Sequence, residues 1–111
     1  MKINWIISSL ECKTLENGLP KVVSRIQWRC EASTTHEGKE YITEVYGPAD
    51  MPSPDPNNFT PYENLTKEQV VQWLTDTMGE YVVQEIYNRL QNNLNELINP
   101  SIVHLDPPFE N

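Results

Sequence analysis

Basic side chains are scarce in this chain. Eight Lys and Arg stand against sixteen Asp and Glu, for a formal net charge of −8 in 111 residues. The imbalance is uneven. Residues 1–47 carry six basic and six acidic groups, and residues 48–111 carry two basic and ten acidic groups. Binding to a phosphate backbone needs clustered Lys and Arg, so no nucleic-acid partner is expected. The acids are spaced singly among Asn and Gln, which reads as a solubilising surface rather than a mimic of DNA.

Long apolar runs are missing too. Nothing approaches the roughly 18 to 20 apolar residues of a membrane span, so no membrane partner is expected. The opening "MKINWIISSLEC" has one Lys and a three-residue apolar patch. That is too short and too soon polar for a signal peptide, so the expectation is a soluble protein of a cytoplasm.

Cysteine, histidine and glycine are few. Cys12 and Cys30 are the only thiols. A hairpin turning at Asn17-Gly18 pairs positions that sum to about 35 to 37, which sets Cys12 opposite Val23 to Arg25 and Cys30 opposite Trp5 to Ile7. They do not meet, and two free thiols are expected. His36 and His104 stand alone, and no CxxC or HxxH spacing exists, so no metal is expected. Asp50, Asp55 and Asn57 could lend oxygens to calcium, but prolines interrupt them and the spacing fits no EF-hand. No serine lies in GxSxG, and there is no GxGxxG and no GxxxxGK[ST]. No catalytic residue, cofactor or enzymatic activity is expected.

Patterning, aromatics and proline are what the chain does have. "INWIISSLEC" predicts a strand over about residues 2–12. "KVVSRIQWRCEAS" alternates more cleanly, with Val22, Ser24, Ile26, Trp28, Cys30 and Ala32 on one face. "KEYITEVYG" follows a turn containing Gly38. Three strands joined by short turns read as an antiparallel meander over 1–47. Residues 48–64 hold five prolines, Pro48, Pro52, Pro54, Pro56 and Pro61, and read as a long loop. Phe59 and Tyr62 within it either dock on the fold or present an anchor to a partner, and Phe109 raises the same question near the end of the chain.

Residues 65–99 predict two helices. Thr66 is the N-cap, Gln69 completes a capping box, and Leu65 with Val70 forms a hydrophobic staple. Gly79 ends or bends the first helix. The second, over 80–98, recurs apolar at Val83, Ile86, Tyr87, Leu90, Leu94, Leu97 and Ile98, with an amide-rich outer face. Asn99-Pro100 stops it. Residues 100–111 form an extended tail, with Ile102–Leu105 able to add a short strand. The expected fold is therefore a single α+β domain, a three- to four-stranded antiparallel meander packed against two C-terminal helices. Val22, Ile26, Trp28, Val70, Trp73, Leu74, Ile86 and Leu90 are its expected core.

The segment "PDPNNFTPYENLTKEQVVQWL" and the ending "NPSIVHLDPPFEN" resemble a family of small uncharacterised tailed-bacteriophage proteins. Its members pair P-x-P-x-x-F-x-P-[FY]-E-x-L-T-x-E-x-V-x-x-W-L with a "PPFEN"- or "PWEN"-like end. The resemblance covers nearly the whole chain and carries no catalytic residues to transfer. It implies a phage origin, and a place in the infected bacterial cytoplasm or the virion. The expected function is that of a non-enzymatic, virion-associated or structural accessory. It would act by protein–protein docking on other phage proteins or on further copies of itself. The alternative is an early protein that binds and inhibits a host protein, such as a defence system.

Overall fold

A computed structural model describes all 111 residues. Strands β1 (Lys2–Glu16), β2 (Leu19–His36) and β3 (Lys39–Asp50) form one antiparallel sheet in the order β1-β2-β3. The two hairpins turn at Asn17-Gly18 and Glu37-Gly38, and all four residues have positive φ, between 49° and 82°. Two-residue turns of that kind match the twist of the strands they join, and Asn-Gly favours them.

The strands run further than the sequence pattern suggests. β1 continues to Glu16 and β3 to Asp50, so the proline-rich loop begins at Met51 rather than at residue 48. Pro48 is accommodated because β3 is an edge strand, where a missing N–H donor costs the ladder nothing. Cys12 pairs with Val23 and Cys30 with Trp5, and both thiols are free.

Two bulges keep the apolar residues on one face. Register slips between Ile7 and Ser9 and between Glu11 and Cys12 leave Ser8 and Ser24 unpaired. The inward rows are then Ile3–Ala32–Thr43, Trp5–Cys30–Val45, Ile7–Trp28–Gly47 and Leu10–Ile26–Ala49. A strict period of two would have turned Leu10 outward, and the extra residue at Ser8 restores it. The bulge at Ser24 acts likewise on β2. Val23 packs against the main core, while Val22 is buried apart from it. Alternation alone had grouped Val22 with Ile26.

A single helical span, α1 (Lys67–Ile98), covers the inward face, and Gly79 breaks it with φ 83° and ψ 162°. The two expected helices are its two parts. Thr66 caps the span through Gln69 N–H to Oγ1 at 3.2 Å. The reciprocal half of the capping box does not form, and the Gln69 side-chain N–H donates to Thr60 Oγ1. Val70, Leu74, Ile86, Leu90 and Leu94 are buried against Ile26, Trp28, Cys30, Ala32 and Val45. Trp73 is only half-buried. Trp5 lies 5.6 Å from Trp28 and 6.2 Å from Tyr87, both at 58°, and its indole N–H donates to the Tyr87 hydroxyl at 3.2 Å. The other sheet face is mostly polar, with Arg25 held by Asp50 and Arg29 by Glu44, and carries Ile42 and Tyr46 exposed among them. Exposed pairs of this kind contribute little stability.

Residues 99–111 form no strand and every one is exposed, so the expected fourth strand is not there. The sheet stays at three strands, and β1 and β3 keep open outer edges.

Candidate docking site

Sixteen residues, 51 to 66, link β3 to α1, more than a simple connection needs. They are ordered by local chemistry and by tethers. Asp55 accepts from Asn57 N–H at 2.9 Å and caps a 3₁₀ turn over Pro56–Asn58. Proline suits the start of that turn because the N–H it lacks would have gone unpaired. A second 3₁₀ turn spans Tyr62–Asn64.

The tethers tie this loop to three other elements. The Ser24 bulge frees a carbonyl that accepts from Met51 N–H at 2.9 Å. Ser53 Oγ donates to Glu16 at 2.7 Å, and Thr77 Oγ1 to Met51 Sδ at 3.7 Å. Lys21 Nζ donates to Glu63 Oε1 at 2.6 Å and stands 5.6 Å from the centre of the Tyr62 ring. Each partner shifts the other. Glu63 raises the pKa of Lys21, and Lys21 holds the Glu63 carboxyl below its ordinary range. Ser53, more than Lys13, lowers that of Glu16.

A cavity of about 280 Å³ opens between this loop, the start of β2 and the first part of α1. Its apolar wall includes Val22, Val23, Met51, Phe59, Leu65 and Trp73. Asp55, Asp76 and Lys21 also line it. Leu65 separates it from a shallower depression that Ile6, Leu10, Tyr62 and Val70 share.

The three aromatics singled out in the sequence part company here. Phe59 is half-buried in the cavity wall. Tyr62 is 43% exposed over the neighbouring depression, and Glu63 rather than its ring ties that turn down. Phe109, 65% exposed, lines neither. The cavity residues Val22, Val23 and Trp73 had no signal beyond hydrophobicity, which reads equally as core.

The remaining candidates stay apart. Asp50 faces Arg25 while Asp55 caps its turn, and no three His, Cys, Asp or Glu side chains gather as metal ligands. His36 lies in the second hairpin end and His104 in the exposed tail. Cys30 is buried, and its thiol is pushed up to about 11 by that burial. No helix is long and apolar enough to cross a membrane.

The tail is the other exposed feature. Ile102 (78%), Val103, Leu105 (82%) and Phe109 are all more than half exposed. Its start is fixed by Ser101, whose N–H and hydroxyl both donate to Glu96 Oε1. The profile of a family described as a domain of unknown function, DUF7936, matches residues 1–107. No curated protein and no solved structure matches the chain.

Proposed function

We propose that this chain, which belongs to the DUF7936 family, is a small non-enzymatic protein of a tailed bacteriophage that works by docking onto other proteins of the virion. The observation that carries the docking reading is the tail. Four large apolar side chains between Ile102 and Phe109 stand in solvent on an extended segment. Burying an Ile or Leu is worth about 1.5–3 kcal/mol, so a partner that covers this segment gains several such contributions. An extended β-branched segment can also add to an open sheet edge. The phage assignment rests on the loop and tail motifs, and it places the protein in the infected cell's cytoplasm or on the particle.

Mass spectrometry of purified virions tests the reading. The chain is expected at a fixed ratio to the major structural proteins, and its consistent absence overturns the proposal. The acidic half of the chain favours one second reading, an early protein that binds a host factor. Residues 48–111 carry ten acids and two bases, which suits a basic partner surface. Pull-down from infected cells, with expression timed, separates the two. Late expression without a host partner removes the second.

A further inference from the structure

We propose that the cavity between the 51–66 loop and the first part of α1 receives a cationic side chain, arginine or lysine, presented by an apolar segment of a partner protein. The inference rests on the docking reading and gives that partner a chemistry.

Size comes first. At about 280 Å³ the cavity lies at the lower end of the roughly 300–1,000 Å³ of ordinary small-molecule sites. A water molecule takes about 30 Å³ of liquid, so the space is large enough to admit one long side chain.

Charge decides between side chains. Asp55 and Asp76 line the cavity, and neither has a cation within ion-pair distance. Each uses its Oδ1, on Asn57 N–H and on the Gln72 amide respectively, and each Oδ2 has no protein donor. Lys21, the one cation in the lining, is already held by Glu63 at 2.6 Å. Both carboxylates are exposed, so a neutral apolar side chain entering here gains no ion pair from them. An acidic one would be repelled. Arginine or lysine lays its aliphatic stem on Val23, Met51 and Phe59 and brings its charge to the carboxylates. Trp73 lines the same cavity, and an aromatic ring beside a cation is favourable.

The test uses the full ¹⁵N-labelled chain and three capped probes, acetyl-Leu-Arg-Leu-amide, its lysine counterpart, and the neutral citrulline analogue. The two cationic probes are expected to shift the Trp73 indole N–H and the Met51 and Thr77 amides saturably, with the citrulline probe about tenfold weaker or more. The double variant Asp55→Asn, Asp76→Asn is expected to remove that preference, and an unmoved Trp5 indole N–H shows that the fold is intact. Equal binding of the charged and neutral probes overturns the proposal. So do shifts centred elsewhere, and so does no saturable shift up to about 10 mM. Cationic probe binding by a chain absent from virions retains the cavity assignment and removes the virion reading. Virion association without probe binding does the reverse.

Discussion

Cys30 shows how much one residue's burial decides. It sits in the Trp5–Cys30–Val45 row with no solvent exposure, and burial moves its thiol from an ordinary value of 9.0 to about 11. Thiolate is the reactive form, so a thiol reagent on the native protein should modify Cys12 and spare Cys30 until denaturant is added. The linkage has a definite sign. Between pH 9 and 11 the unfolded chain has released the Cys30 proton while the folded chain retains it, so the folded state binds more protons and stability falls as pH rises. Melting curves across that window should fall more steeply for the native sequence than for Cys30→Ala. Tyr87 gives a second test. Tyr87→Phe keeps the ring against Trp5 but removes the acceptor of its indole N–H, and urea titration should show a loss of about 1 kcal/mol. Trp28 differs again. Its indole N–H is buried without a partner and its ring lies against Gly47, where an added Cβ would stand 3.4 Å from Cζ2. An alanine at position 47 would therefore rest on the indole in ordinary van der Waals contact.

At the scale of elements, local signals located most boundaries. Asn17-Gly18, the Thr66 cap, Gly79 and Asn99-Pro100 all mark the positions where the chain turns, starts, breaks and stops. Each owes this to its own backbone or side-chain preference, which neighbours far away do not alter. The bulges had no such signal. Ser8 and Ser24 look like ordinary polar strand residues, and only the need to keep Leu10 and Val23 inward against α1 makes them bulges. The break at Gly79 lies in backbone space that only glycine occupies comfortably, and a Cβ there would meet nothing within 4 Å. Gly79→Ala is therefore expected to cost about 1–3 kcal/mol through the backbone alone, read as a lower urea midpoint with an unchanged slope. A straightened helix would instead lift one part of α1 from the sheet, change the slope and expose Leu90 or Leu94.

The whole molecule is elongated. Its extents are 72 × 30 × 24 Å and its radius of gyration is 19.7 Å, against about 13 Å for a compact chain of this length. Long strands and an outstretched tail both contribute. Deleting residues 102–111 should lower the radius of gyration measured by small-angle X-ray scattering and leave stability within about 0.5 kcal/mol, because no deleted side chain is buried. A large loss of stability would show that the tail packs on its own fold in solution. Only 11 of the 111 residues are buried, so each core contact weighs heavily. Leu90→Ala should cost about 2–5 kcal/mol and bring the domain close to unfolding.

The sequence by itself determined the meander, its two turns, the capped helix with its glycine break, and the separation of the two thiols. All of these follow from local preferences of backbone and side chain, or from counting residues along paired strands. Tertiary structure alone decided where apolar residues serve as core and where they serve as cavity wall. Phe59 and Trp73 are as hydrophobic as Ile26 and Leu74, and nothing in their own chemistry distinguishes the two groups. The distinction came from the Ser24 bulge, the Met51 and Lys21 tethers and the cap of the 3₁₀ turn at Asp55. Together these hold the proline-rich loop just far enough from α1 to leave a space between them.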